Sequence, residues 1–423
     1  MAAPLNPCEL EIDLFCRGVR IDPSCSLESD ARIFRRTRAG LGSGLELVLP
    51  GDLKDVWMNA PVEEDFVQAS PYRLVKDAER YALVDERGPV RYPVRIPPEP
   101  AWYERLTGRG TPMRDVGVLQ GTYLGIYISN SCGYWWMRGE GKEALNCAFC
   151  TTGYNVGVNE RAEKAVEDVV EVAAAAKAEG CTFTHFNTGY HGGRDIDLVA
   201  PYVAAVKGRV GQLVGVQALP ARAPDLWKYD WLLDLGANHF SFCWEFHSPD
   251  WFARLCPGKR ATLGQDAFFR ALEYCQSKMP KGACSGEIIA GVEPIEWTLR
   301  AIDDITDRGA FPTVCIFRPC IGSDMEHVPP PRPEDMLVVM RHMYEACRRK
   351  GIPIGAAPNI EVSLIVQPDD ARYLEPRNLR FWGREARSWI VRRLAAPVFA
   401  RELRLRPPKA DPYHPPRPQP AAV

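Results

Sequence analysis

Cys132, Cys147 and Cys150 are the residues whose types and spacing could do chemistry. They stand in SNSCGYWWMRGEGKEALNCAFCTTG, residues 129–153, with two tryptophans and a Gly-rich stretch between the first thiol and the CxxC pair. Two thiols two residues apart suggest a metal. A third thiol with no fourth ligand nearby suggests a metal with an open coordination position. Thiolates suit soft, redox-active iron–sulfur clusters, and a four-iron cluster held by three cysteines would leave one iron free. The competing site is zinc, which takes four ligands when structural; the loop holds no histidine, and the nearest, His185, is a strand away. Three unliganded thiols in a packed loop are the third possibility.

A carboxylate, Glu245, ends the apolar stretch HFSFCWEF, where an unpaired charge is costly unless it binds something or is matched by a salt bridge. The glycine pair Gly192-Gly193 follows another strand and would let backbone approach a ligand, or make a plain turn. Arg318, in FRPCIGSDMEHVPPP, is a candidate anion contact. His247 could face a substrate. Cys243, Cys256, Cys275 and Cys284 could form a second thiol site, although three of them read as members of strands or helices.

These groups need elements to position them. From about residue 117, apolar strands alternate with amphipathic helices six or seven times. YLGIYIS, CTFTHFNTG, QLVGVQALP, HFSFCWEF, CSGEIIAG and FPTVCIF read as strands, each followed by a helix, and IPIGAAP could begin a further strand. Parallel strands need helical crossovers, so this repeat predicts a parallel (βα) barrel, full or partial, of the TIM type. No GxGxxG follows the first strand, which argues against a dinucleotide fold. In a parallel barrel, functional groups lie on loops at the C-terminal ends of strands, and the three cysteines occupy the first such loop. The insertion GYWWMRGEGKEALN is expected to fold back with one turn of helix at GKEALN, and Trp135 or Trp136 to shield a cluster. Residues 1–116 read as a β-rich extension, with CELEIDLF, GLELVLP and YALVDERGPVRYPVRI as strands. Residues 117–366 form the barrel. Residues 367–423 form an Arg-rich amphipathic helix over one end of it and a disordered Pro-rich tail.

Composition bounds the setting. The 423 residues are 46% hydrophobic and 25% charged, with a net charge of -2, so no basic field points to nucleic acid. No long apolar run predicts a membrane span and no secretory signal is visible. The 14 cysteines therefore read as thiols or ligands in a cytoplasmic chain.

Taken together, the loop and its surroundings resemble the radical SAM superfamily, whose first-strand loop carries CxxxCxxC with an aromatic before the last cysteine. Here Cys147-Ala148-Phe149-Cys150 matches, and the first gap is expanded to 14 residues. The resemblance spans roughly residues 120–365. It implies a [4Fe–4S] cluster on Cys132, Cys147 and Cys150, whose open iron binds S-adenosylmethionine, with Phe149 against the adenine. Gly192 and Gly193 would receive the methionine amino group, although Arg194 replaces the family's glutamate there. Glu245 would bind the ribose hydroxyls or the amino group. Gly286, Ile288 and Gly291 fit the family's GxIxGxxE pattern, with Ile288 on the adenine and Glu293 steadying the next turn. The chemistry implied is reductive cleavage of S-adenosylmethionine to a 5′-deoxyadenosyl radical, which abstracts hydrogen from a small-molecule substrate in a biosynthetic step. A flavodoxin- or ferredoxin-type donor would supply the electron. EFHSPDWFARLCPGK is most similar to the biotin-synthase and methylornithine-synthase branch. A zinc-binding barrel hydrolase would need His and Asp ligands at several strand ends. A non-catalytic iron–sulfur redox protein would have no use for Glu245 or the glycine pattern.

Overall fold

The computed structural model describes residues 4–27, 44–158 and 160–416. Its centre is a seven-stranded sheet. Strands β8 (Tyr123–Tyr127), β9 (Phe183–Asn187), β10 (Leu213–Gln217), β11 (His239–Glu245), β12 (Cys284–Ala290) and β13 (Phe311–Ile316) run parallel in sequence order. A short antiparallel strand, β7 (Val118–Gln120), pairs with β8 at one edge. No hydrogen bonds join β7 to β13, so the barrel is partial. Five longer helices cross between the strands or follow them: α2 (Val166–Ala178), α3 (Asp195–Arg209), α4 (Trp227–Leu235), α5 (Gln265–Lys278) and α6 (Ile295–Asp307). A sixth, α7 (Pro333–Lys350), follows β13.

Side-chain alternation along each strand divides two environments. Phe240, Phe242 and Trp244 of β11 face the helices and are buried, whereas His239, Ser241, Cys243 and Glu245 face the concave side. The segment IPIGAAP makes no strand. Residues 352–369 instead run across the ends where the strands begin, where Thr182 donates to Pro358 O (2.7 Å) and Thr122 N–H to Glu361 O (3.0 Å).

Before the barrel lie a helix, α1 (Pro7–Arg17), the antiparallel ribbon β2 (Leu45–Leu49) with β3 (Val56–Ala60), and a four-stranded sheet. That sheet orders β1 (Arg20–Ile21), β4 (Tyr72–Asp77), β5 (Arg80–Asp85) and β6 (Val90–Val94). CELEIDLF is helical rather than extended. Asn6 accepts from the backbone of Cys8 and Glu9, Glu9 returns a bond to Asn6 N–H, and Pro7 occupies the first turn. This capping box outweighs the short apolar–polar alternation. Buried side chains from α1, the ribbon and the barrel form one continuous core.

The Arg-rich helix is present as α8 (Leu379–Glu402). It caps the strand-start end: Lys207 donates to Glu402 O, and Asn238 to Glu402 Oε2 (2.9 Å). The tail is ordered where it is described. Lys409 N–H bonds to Asp234 O (3.0 Å), and Trp231 Nε1 donates to Asp411 O (3.0 Å). The rest of the expected disordered tail, 417–423, lies outside the described residues. Among the described residues, no helix is long and apolar enough to cross a membrane.

Candidate functional site

The sheet, the segment 352–369 and α8 enclose a cavity of about 860 Å³. Cys132, Cys147, Phe149 and Cys150 line it at the strand-end mouth. Two close approaches build this rim. A Cβ on Gly189 would lie 2.5 Å from Cys132 Cα, so the loop after β9 touches the first cysteine only because residue 189 is glycine. A Cβ on Gly258 would lie 2.5 Å from both Leu145 O and Tyr134 Cδ1. Two short helices, Pro249–Leu255 and Pro257–Thr262, thereby press on the CxxC loop, which they also hold through Ala148 N–H to Leu255 O (2.9 Å).

The insertion 133–146 folds back without the expected helix. Gly139–Lys142 is a turn closed by an isolated bridge between Arg138 and Ala144. Its anchor is Tyr134, fully buried and stacked on Tyr190 (4.5 Å between centroids, 6° between planes). Trp135 packs edge-on against Tyr154, whereas Trp136 is 67% exposed. Of the two tryptophans, then, only Trp135 packs inward, against Tyr154 and Gly153, and neither lines the cavity.

Each thiol lies within electrostatic reach of the other two, and burial raises all three away from ionisation. The Cys132 thiol is pushed up to about 12 by burial. Cys147 is raised first by a hydrogen bond with Cys256 and then by burial. Donors already point at the sulfurs: Tyr190 N–H to Cys132 Sγ (3.2 Å) and Thr152 N–H to Cys150 Sγ (3.4 Å). Hydrogen bonds of this kind tune iron–sulfur potentials. Among the described residues, no three His, Cys, Asp or Glu side chains gather as ligands of one metal ion. A zinc ion would need its sulfurs roughly 3.8 Å apart, from Zn–S bonds of about 2.3 Å. A cubane holds its ligands at separate corners. Three soft donors on one cavity rim, two of them already accepting N–H bonds, fit such a cluster.

Glu245 faces the cavity through a distortion of β11. The register shifts between Cys243 and Glu245, and Glu245 takes a left-handed φ of 70°. Bulges re-aim side chains, and non-glycine residues hold such angles only when their surroundings enforce them. Lys259 does so here, donating to Glu245 Oε1 (2.6 Å) and Cys243 O (2.7 Å). Burial raises the Glu245 carboxyl, and Lys259 opposes that rise. Burial is the largest influence on Lys259 and lowers it, but Glu245 together with Cys147, Cys256 and Cys243 outweighs burial and holds Lys259 well above its ordinary range. Nearby, the Cys243 thiol donates to Glu287 Oε2 (2.8 Å), to which Gln217 Nε2 also donates (2.8 Å).

The remaining expected residues lie elsewhere. Gly192 and Gly193 have φ of +68° and +81°, are exposed, and are absent from the cavity wall, where Gly189 and Tyr190 stand. A Cβ on Gly286 would meet Trp244 at 2.5 Å and Ile305 at 2.7 Å, and one on Gly291 would meet Pro331 at 2.4 Å. Gly286 and Ile288 therefore face the helices, and β12 offers Ser285, Glu287 and Ile289 to the cavity. Ile288 is buried and absent from the cavity wall. Glu293 accepts from His247 N–H (2.9 Å) and Ser248 N–H (2.8 Å), bracing the turn after β11. Arg318 is paired with Glu64 and donates to Asn59 Oδ1 (3.2 Å), which ties β13's loop to the amino-terminal region. His247 packs against Phe269 and Trp297. Lys259, Tyr134, Gln217 and Glu287 were not singled out from sequence.

No family model matches the chain. A stretch of 97 residues, 23% of this chain, is 31% identical to bacteriochlorophyllide c C-7(1)-hydroxylase from Chlorobaculum limnaeum and spans 24% of that protein. Distant structural likenesses include methylornithine synthase (17% identity, TM-score 0.38, 52% of this chain and 60% of that one). SuiB from Streptococcus suis, bound to S-adenosylmethionine, gives 11% identity and a TM-score of 0.40, over 54% of this chain and 50% of that one. The hydrogenase maturase HydG from Carboxydothermus hydrogenoformans gives 13% and 0.38, over 56% and 55%. The three-cysteine loop follows the first parallel strand of a partial barrel and lines its cavity.

Proposed function

We propose that this chain is a radical SAM enzyme acting on a C–H bond of a bulky, largely apolar small molecule. The observation that carries the reading is the placement of Cys132, Cys147 and Cys150 on the rim of one large cavity behind the first parallel strand. Cys132, Cys147 and Cys150 would hold the cluster. Bound there, cluster and S-adenosylmethionine would supply reductive C–S cleavage and a carbon radical able to take hydrogen from an unactivated carbon. Phe149, edge-on to Phe246 (5.8 Å between centroids), offers an apolar wall beside the thiols. Glu245, fixed by Lys259, presents a carboxylate to a cationic or hydroxylic group of the cofactor.

Below the rim the walls suit the substrate named. Phe183, His185, His239 and Phe311 form a ladder of ring contacts from three strands, β9, β11 and β13. Gln217 and Glu287 are the polar groups set among them. Such a cavity, mostly apolar with a few convergent polar groups, is the usual form of a small-molecule site. The local likeness to a hydroxylase of bacteriochlorophyllide, a large planar molecule, supports the same substrate class. A flavodoxin- or ferredoxin-type protein is the proposed electron donor. The test is anaerobic reconstitution followed by dithionite and S-adenosylmethionine. Formation of 5′-deoxyadenosine supports the reading, and its absence from a protein carrying intact cluster would refute it.

A further inference from the structure

Helix α8 has two apolar faces, and only one of them is used inside the protein. The inner face carries Val391, Ala395, Val398 and Phe399, which line the lower end of the cavity. The outer face repeats at helical spacing through Leu379, Trp382, Ala386, Trp389, Ile390, Leu394 and Pro397, all exposed. Leu379 is 91% exposed, Leu394 72% and Trp389 58%. Solvent-facing apolar side chains on this scale mark a surface that meets something.

The charges beside the stripe say what. The helix holds six arginines and two glutamates. Both glutamates are engaged inward, Glu385 with Arg372 and Glu402 with Lys207. Arg380, Arg387, Arg393 and Arg401 are exposed, with no carboxylate partner among the described residues. We infer that α8 lies in the surface of an anionic lipid bilayer, its Trp, Leu and Ile side chains in the acyl boundary and its arginines among the headgroups. Arg393, stacked on Trp389, and Arg401 lie along the stripe, and Arg380 and Arg387 at its edge. A strongly basic helix with exposed Trp, Leu and Ile beside its arginines lies in the membrane interface rather than across it. A second copy of this chain fits less well. A two-fold contact would bring the unpaired arginines of one α8 against those of the other, with no exposed carboxylate on the stripe to meet them.

The cavity gives the position a consequence. Val391 and Val398 belong to its wall and are themselves exposed, so its lower end reaches the surface beside α8. A helix seated in a bilayer would set that end against the lipid, on the route an apolar molecule would take. The inference stands on α8 alone and does not depend on the chemistry at the cysteines.

The experiment is flotation of the full-length protein with vesicles of phosphatidylcholine alone, or of equimolar phosphatidylcholine and phosphatidylglycerol. Binding is expected to the anionic vesicles only, weakening at least about tenfold between low and high salt as the charges are screened. Trp389→Glu/Leu394→Glu should abolish it, and Arg387→Glu/Arg393→Glu should weaken it about tenfold or more. All four side chains are exposed, and an unchanged far-ultraviolet circular dichroism spectrum checks the fold. Failure to float with anionic vesicles overturns the inference, as does equal flotation of the Trp389→Glu/Leu394→Glu variant. Concentration-dependent dimers that this variant disperses, without vesicle binding by wild type, would assign the stripe to a second copy instead.

Discussion

Replacing Lys259 with methionine removes one partner of a buried ion pair while keeping most of its volume. The Lys259 and Glu245 side chains are 8% and 14% exposed, so little water is available to replace the lost contact. Removing one member of such a pair typically costs about 3–5 kcal/mol, because the remaining charge stays desolvated. A chain of this length would lose about 3–6 °C in Tm. The sign of the pH effect follows from Glu245. Burial raises its carboxyl in the folded state and Lys259 holds that rise back. Without Lys259 the folded value, already above the unfolded one, climbs further. A group raised in this way stabilises fully at low pH and loses that contribution as pH rises. The deficit of Lys259→Met should therefore widen from pH 5.5 to pH 8. Glu245→Gln/Lys259→Met should recover much of it, since no charge is left unpaired. Urea denaturation at both pH values reads all of this. A loss below about 1 kcal/mol that is flat with pH would mean the pair is solvated, as an exposed pair is, and would refute the picture of Glu245 held in a dry wall.

Gly258→Ala should cost about 1–3 kcal/mol and lower the iron retained after reconstitution, because its Cβ would strike Leu145 O and Tyr134. Gly383→Ala, with no atom near its Cβ, should leave both unchanged or gain slightly; both are read by thermal melts and iron assay. Asp195 accepts from His191 N–H (2.8 Å) and its carboxyl is raised to about 6 by burial. Its stabilising contribution is complete below the ordinary carboxylate range and lost as pH rises through about 6. Asp195→Asn should therefore gain on wild type between pH 4.5 and 7.5, by at most about 3 kcal/mol in melts across that range. A constant difference would contradict the shift.

The six parallel strands were legible because each is a short apolar run bounded by turn residues and followed by a helix. The cysteine loop was legible because it follows the first of them. The facing of β12 was not. Parallel strands covered on both sides read as nearly continuous apolar runs, so Gly286 and Ile288 could be assigned to either face. Ser285 and Glu287 held the missing signal, as two polar residues at period two. Lys259 was invisible because its pairing with Glu245 depends on a β-bulge and on two short helices folding back over the rim. CELEIDLF misled because eight residues of alternating polarity outshone the capping box beside them.

The most direct test of the account is the iron and sulfide content of anaerobically reconstituted protein beside four single variants. Wild type should hold about four of each per chain. Cys256→Ala should hold the same, since Cys256 only hydrogen-bonds to Cys147. Cys132→Ala, Cys147→Ala and Cys150→Ala should each lose the cluster and its broad absorbance. Tightly bound zinc without sulfide in wild type, or a full complement of iron in Cys132→Ala, would contradict it.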